Sequence, residues 1–532
     1  MKKSWFLLIL LLLFIAAMNW LWLTLDTQPP HWDQAHYMQI AAQYSHRLKS
    51  LHFKGFLQDL IFFSRLRPPL VMLLTSPVYF FNYRSEDIAV MMNILFMALT
   101  FLAIFKICKN YFEPKISTLA CFMLSMYPIV FHFTRTYLME LGLMSIVTLS
   151  IFFLLKCDNF KSFKYSLFLG LCLGLGMLTK LTYALFMVGP FLYITLRSNI
   201  IPFINKGKDE SLRSLLEVRR HFLYCVGIAS VLTLSWYIPN FKPTVLLFNQ
   251  TESAAVRHLK PYIWSLKAFL TFYPRAIIKH GISTFFALLF LGSCILFFVS
   301  RNFRNRNKVF IYWILYALIL LAFALNKSLK YSVPLLPAIA IITAQGIYRI
   351  KYTLIRCAVI GLVVLYGLFQ FFIYSFDIPL FSHLSSKESA WGRIVSFSFN
   401  KWHRPWRVEW RLEDVLDIVK EDMEKENKEE ATIVLLSDQW AYNANTLNYL
   451  SSKEKLGLYV LNVIHRDNID SFMAEANYDY AIYRYEKVMY LPLERARIEK
   501  AYTYVKNHPK EFMLIDTVRL RDGSDVFIYK HM

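Results

Sequence analysis

Two acids and three cations stand at the ends of apolar runs, where groups of their type can do chemistry. Asp33 lies in Pro29-Pro30-His31-Trp32-Asp33-Gln34-Ala35-His36-Tyr37, just beyond the first hydrophobic run. Glu140 closes Arg135-Thr-Tyr-Leu-Met-Glu140, and Arg67, Lys180 and Lys330 flank other runs. A carboxylate at the edge of a bilayer, partly desolvated, has a raised pKa and can accept a proton. Fixed cations can hold an anion or stabilise developing negative charge, Arg in bidentate fashion and Lys as a point charge. Ionisable groups at membrane depth are costly and are functional candidates for that reason. Cations at helix ends can instead snorkel or anchor. What favours function is their placement: the pattern predicts that all five face the same side of a membrane and converge there.

The elements that must position them are mostly apolar helices. Of the 532 residues, 56% are hydrophobic and only 18% charged, against about 25% charged in soluble domains. The apolar residues are blocked into runs, several near the roughly 20 residues that cross a bilayer. Spans are predicted near 5–25, 86–107, 115–133, 141–156, 165–179, 181–196, 222–239, 282–300, 309–325, 331–348 and 357–376, about eleven in all. The first run follows Lys2 and Lys3. It is longer than a signal-peptide core and lacks a small-residue cleavage site, so it reads as a retained helix with a cytoplasmic N-terminus. The net charge of +22 is punctuation between runs, concentrated in inner connections such as Arg301, Arg304, Arg306 and Lys308. The short outer turns carry only Arg135, Lys180, Lys327 and Lys330, the asymmetry expected of membrane topology rather than of a nucleic-acid binder.

Residues 26–85 are then outside, with interfacial helices expected at 34–49 and, as a short or re-entrant element interrupted by Pro77, at 69–83. A further outer loop over 240–280 mixes Tyr262, Trp264, Phe269, Phe272 and Tyr273 with Arg257, Lys260, Lys267, Arg275 and Lys279. Such a loop either rests in the headgroup layer or grips an anionic lipid. The seven cysteines all sit in or beside apolar segments, with none after Cys357 and no CxxC spacing, which excludes a disulfide framework in the tail. From about 377 the composition changes. A basic aromatic hinge (Trp402, Arg404, Trp406, Arg407, Trp410) leads to a charged helix over 413–430. Strand-like runs follow at 432–437, 457–462, 478–483, 512–520 and 525–530, the last two flanking a hairpin turn. The chain therefore divides into a membrane domain, 1–376, and an extracytoplasmic α/β domain, 377–532. No internal repeat is visible.

Asp33 with His36-Tyr37, Arg67-Pro68-Pro69-Leu70, Arg135 to Glu140, Leu178-Thr179-Lys180, and Lys327-Ser-Leu-Lys330-Tyr331-Ser-Val-Pro334 occur in that order. The set resembles the GT-C membrane glycosyltransferases of the protein O-mannosyltransferase and lipid A aminoarabinose transferase type (glycosyltransferase family 39-like). The likeness covers about 1–350 and, loosely, the tail. It implies a GT-C fold, a polyprenyl-phosphate-linked sugar donor, and inverting transfer of a hexosyl or pentosyl group to a glycolipid, polysaccharide or protein hydroxyl. It implies that Asp33 is the catalytic acid residue, Glu140 a second one, and Arg67, Lys180 and Lys330 phosphate-binding cations. Tyr37, Tyr331 and His36 would line the donor site, the tyrosines stacking on sugar or simply anchoring at the interface. Gln34, where protein mannosyltransferases usually carry Glu, and Glu140, where relatives often carry Asp, depart from the pattern and weaken the protein-mannosylating assignment. A divalent metal, if used, would be held by Asp33 and Glu140, with His31 and His36 alongside; His132 reads as an interior histidine. The alternative is a lipid or solute transporter, which shares buried charges and many spans, though transporters often show two related halves. The location expected is the inner or plasma membrane, multi-pass, with the site outside the cytoplasm.

Overall fold

The computed structural model describes residues 2–80, 86–198, 212–246, 266–324, 327–376 and 404–532, apart from 408, 440, 465, 467, 485–491 and 522. They form two compact units that interleave along the chain: one of 1–23, 47–77 and 87–404, the other of 24–46, 78–86 and 405–532. The boundary expected at 376 adjoins 377–403, a segment outside the described residues, as do Trp402 of the hinge and Arg257, Lys260, Tyr262 and Trp264 of the outer loop.

The first unit is helical. Helix α1 (Lys2–Leu25) exposes Phe6, Ile9, Leu13 and Trp20, the pattern of a helix facing lipid. It is followed in this unit by α3 (Phe53–Phe62), α4 (Leu70–Thr75), α5 (Glu86–Tyr111), α6 (Pro114–Met126), α7 (Pro128–Phe133), α8 (Glu140–Lys156), α9 (Phe163–Thr179), α10 (Tyr183–Arg197) and α11 (Leu212–Tyr237). Beyond them come helices Leu266–Ala276, Thr284–Val299, Arg301–Phe323, Leu336–Tyr348 and Thr353–Ser375. Apart from 115–133, the described parts of the expected spans fall largely on single helical segments. Among the described residues five helical segments are long and apolar enough to cross a bilayer: Lys2–Leu25, Glu86–Tyr111, Arg301–Phe323, Leu329–Tyr348 and Thr353–Ser375. The helices α8, α9 and α10, at 17, 17 and 15 residues, reach about 23–26 Å at 1.5 Å per residue.

The span expected over 115–133 is not one helix. Pro128 has no N–H to donate, its ring disfavours helical geometry in the residue before it, and Tyr127 is extended (φ −68, ψ 127), so α6 ends and α7 starts anew. Helix Leu336–Tyr348, buried at every position from Leu336 to Ile347, is the centre of the unit. Its Gln345 exchanges two 3.0 Å hydrogen bonds with Asn307 of Arg301–Phe323, satisfying both amides inside an apolar interior. Helix α3 exposes Phe53, Leu57 and Phe62 together with Lys54, the face of a helix lying on an interface.

The second unit carries a five-stranded sheet in the order β2-β1-β3-β5-β4: β1 (Ala431–Leu436), β2 (Leu458–Asn462), β3 (Tyr480–Arg484), β4 (Phe512–Arg519) and β5 (Asp525–His531). β1 pairs in parallel with β2 and β3, through the connecting helices Ala444–Glu454 and Ile469–Glu475; β3–β5 and β5–β4 are antiparallel. The strands follow the expected runs closely, and Val434, Leu436, Ala481, Ile498, Ala501 and Val505 lie in the core that joins the sheet to helix Pro492–Asn507. The charged helix expected over 413–430 runs Leu412–Lys425. To this sheet the unit adds an N-terminal piece. Helix α2 (Trp32–Lys49) matches the expected helix at 34–49, and its Tyr37, Ile40, Ala41 and Tyr44 are all buried.

Candidate active site

In the first unit the turn between α7 and α8 is held from behind by two buried amides. Asn93 of α5 donates to the carbonyls of Phe133 (3.1 Å) and Thr136 (2.9 Å). Asn19 of α1 donates to the Thr134 carbonyl (3.4 Å) and accepts from Thr134 Oγ1 and Arg135 Nε, both at 3.2 Å. Arg135, 3% exposed, does not reach the acids. Its guanidinium lies 5.5, 5.5 and 5.1 Å from the rings of Trp22, Phe131 and Phe371. Aromatic faces offset part of the cost of burying that charge, and the residue ties three helices together.

This turn delivers Glu140 at the first turn of α8, where the helix dipole favours a carboxylate. Its Oε1 accepts a 2.8 Å hydrogen bond from Lys180 Nζ, with side-chain exposures of 3% and 17% for the pair. Lys180 is the first residue past α9, in extended conformation (φ −165, ψ 139). The turn that aims it depends on Gly176: a Cβ there would sit 2.2 Å from the ring of Tyr183, whose hydroxyl shares a 2.6 Å hydrogen bond with Ser150. Lys330 and Tyr331 come from the 3-10 turn Leu329–Leu335. The Tyr331 ring lies between two ammoniums, 5.3 Å from Lys180 Nζ and 5.9 Å from Lys330 Nζ. Arg67, in the turn leading to Pro68 and Pro69, also acts on Lys180. Burial lowers the Lys180 ammonium from its ordinary value; Glu140 opposes this, while Lys330 and Arg67 add to it. Three cations and one carboxylate thus act on one another here.

Arg and Lys side chains are the groups that hold a phosphate, while Glu140 is engaged by the Lys180 ammonium. Among the described residues no group of three or more His, Cys, Asp and Glu side chains could hold a metal ion.

Asp33, His36 and Tyr37 belong to the second unit. Asp33 is half-buried in the first turn of α2. The residue before it, Trp32, has φ +35, a left-handed value that strains a bulky side chain. What holds it there is the α/β fold. The Trp32 indole Nε1 donates to Asp438 Oδ1 (3.2 Å), one of the residues that directly follow β1. Thr446 Oγ1 donates to the Pro30 carbonyl (2.9 Å), Thr27 N and Oγ1 donate to the Trp406 carbonyl (2.8 and 2.9 Å), and Trp406 N donates to Asp26 Oδ1 (2.7 Å). Burial pushes the Asp438 carboxyl up to about 6, with the hydrogen bonds from Trp32 and Asn462 opposing. Gln34 is buried and its amide Nε2 donates to His31 Nδ1 at 2.8 Å. The position at which protein mannosyltransferases carry Glu is thus given to a local bracing contact. Tyr37 is 3% exposed, so its ring is a packing group and offers no face to a sugar.

The structure therefore gathers Glu140, Lys180, Lys330, Tyr331 and Arg67. It shows two residues that sequence reasoning missed, Trp32 and Asp438. The signal for Asp438 was an acid at the carboxyl end of a parallel strand, a usual place for functional groups in α/β sheets.

The class follows from these features: a multi-pass helical membrane protein of the GT-C fold, with a small α/β domain at its C-terminus. Residues 67–203 match the family model described as dolichyl-phosphate-mannose-protein mannosyltransferase. The chain is similar in structure to ArnT from Cupriavidus metallidurans bound to undecaprenyl phosphate, at 14% identity and a TM-score of 0.58 over 98% of this chain and 97% of that one. It is also similar to the archaeal oligosaccharyltransferase AglB from Archaeoglobus fulgidus, in complex with an inhibitory peptide and a dolichol-phosphate. There the identity is 11% and the TM-score 0.50, over 90% of this chain and 69% of that one. No curated protein sequence matches it.

Proposed function

We propose that this protein transfers a sugar from a polyprenyl-phosphate donor to an acceptor hydroxyl outside the cytoplasm, with inversion at the anomeric carbon. The observation that carries the reading is the gathering of Arg67 and Lys330 about Lys180. When the bond from the anomeric carbon to the lipid phosphate breaks, the phosphate goes from a singly charged diester to a doubly charged monoester. Arg67, Lys180 and Lys330 are the groups that take up the added charge, and Glu140 keeps Lys180 oriented. Two proteins of the same fold have been seen with a polyprenyl phosphate bound, undecaprenyl phosphate in ArnT and dolichol-phosphate in AglB.

Asp33 is the base. It takes the proton of the acceptor hydroxyl as that oxygen attacks the anomeric carbon from the side opposite the leaving phosphate, which needs no proton of its own. The N-terminus is cytoplasmic and the α/β domain faces the other side. The test uses the protein in lipid nanodiscs with undecaprenyl-phosphate sugars of several kinds, reading released lipid phosphate. Asp33→Asn is expected to lower turnover by about 10²–10⁴-fold while lipid-phosphate binding persists; wild-type turnover in that variant removes the base assignment. Movement of lipid or solute across the bilayer without donor consumption replaces the transferase with a transporter.

A further inference from the structure

A groove of about 760 Å³ opens in the second unit between α2 and the edge of the sheet at β2. The walls are built stiffly. β2 is an edge strand of the described sheet, and side chains of helix Ala444–Glu454 stand in for a neighbouring strand. Asn448 donates to the Val460 carbonyl (2.8 Å) and accepts from its N–H (2.7 Å), and Ser451 Oγ does the same for Leu458 (2.6 and 3.1 Å). Gly457 at the start of β2 has φ +72, and a Cβ there would meet the Glu429 carbonyl at 2.2 Å. Asp479 is fixed by Thr432 N (2.9 Å) and Lys428 Nζ (3.0 Å).

On these walls stands a second set of polar groups that make no hydrogen bond or ion pair among the described residues: the side chains of Gln39, Glu430, Thr432, Ser452 and Lys455. Tyr459, 61% exposed, adds a ring to the rim. An amide, two hydroxyls, a carboxylate and an ammonium offer both donors and acceptors, and the mixed charges give no net attraction for a phosphate or a nucleic acid. A flat aromatic face beside dispersed donors and acceptors fits a neutral, hydroxyl-rich ring. The volume falls within the roughly 300–1,000 Å³ of small-molecule sites. Gln39 is six residues beyond Asp33 on the same helix, about 9 Å along its axis.

We propose that this groove binds the glycan part of the acceptor, with Tyr459 as the stacking platform. The proposal rests on the transferase reading above and makes the acceptor a saccharide longer than one ring: inner sugars sit in the groove and the outer hydroxyl lies toward the Asp33 end of α2.

Saturation-transfer NMR on the full chain in lipid nanodiscs, free of sugar-headed detergent, tests it. The probes are neutral mono- to tetrasaccharides of glucose, galactose, mannose, rhamnose and N-acetylglucosamine. Binding by at least one probe is expected, stronger for the longer members. Tyr459→Ala is expected to weaken it tenfold or more, Tyr459→Phe to retain it, and Ser452→Trp, which fills the groove, to abolish it, with undecaprenyl-phosphate binding unchanged in all three. No binding by any probe to the wild type, or binding that survives both Tyr459→Ala and Ser452→Trp, overturns the proposal. If the transferase reading alone is wrong, the wild type fails to bind undecaprenyl phosphate while the saccharide result stands.

Discussion

The Glu140–Lys180 pair fixes how the cations can be used, because neither charge is cheap to leave alone. Removing one partner of a buried pair costs about 3–5 kcal/mol, since the other stays uncompensated. Glu140→Leu is therefore expected to lower thermal stability in nanodiscs markedly, and Lys180→Met in the same background to restore part of the loss. Additive losses in the double variant would show that the pair is not coupled. Lys180→Met should also weaken undecaprenyl-phosphate binding by about 10–100-fold, the worth of one charged hydrogen bond. Asp438 makes a second prediction, with a definite sign. Its carboxyl titrates near 6 in the fold against an ordinary 3.8, so the folded state holds its proton longer than the unfolded one. Its contribution to stability falls as pH rises from about 4 to 6, by about 3 kcal/mol, and is flat above. Asp438→Asn, which keeps an acceptor for the Trp32 indole, should flatten that slope while preserving turnover; Asp438→Ala should lower turnover by loosening the residue before Asp33. Melting curves from pH 4 to 7 and a transfer assay separate the two. Arg67, Lys180 and Lys330, which the fold gathers, could be picked from sequence because charge beside an apolar run is a local signal. The partnership of Glu140 with Lys180 could not, because it joins residues 40 apart, nor could the fate of Gln34, which looks like a lost acid until its contact with His31 is seen.

At the scale of elements, the site depends on where helices stop. α9 ends so that Lys180 turns out of its line, and Gly176 makes room for the Tyr183 ring that fixes the turn. Gly176→Ala forces that ring to move and is expected to cost about 1–3 kcal/mol and to weaken lipid-phosphate binding without removing any charge. Adding Tyr183→Ala should give less than the sum of the two single losses, as contacting residues do; strict additivity would place Lys180's geometry elsewhere. Helix positions were legible because a block of apolar residues announces a helix wherever it occurs. Their interruptions were not. The run 115–133 is mostly apolar and reads as one span, and hydropathy is blind to the missing N–H of Pro128 that divides it. The strands of the α/β sheet were legible for the same local reason, as β-rich runs between turns, while their order in the sheet is set by packing that no single run encodes.

At the scale of the molecule, the second unit is assembled from three stretches of chain. A division into a membrane part and a tail follows composition, and composition could not show that 24–46 packs with the sheet. If the tether works as described, a chain cut before 405 keeps α2 but loses Asp438, Thr446 and Trp406 as anchors. Amide exchange over 26–34 is then expected to quicken by an order of magnitude or more, and equal exchange in cut and intact protein would show that α2 holds its own conformation.

The bonds from Trp406 to Asp26, from Trp32 to Asp438 and from Thr446 to Pro30 span 380, 406 and 416 residues. Loop closure of that length comes late in folding. The segment bearing the proposed base is therefore made some 380 to 416 residues before the residues that shape it. A nascent chain stalled before Trp406 thus carries an unset trigger, the segment without the partners that shape it. Synthesis past Thr446 becomes the step that arms the proposed base.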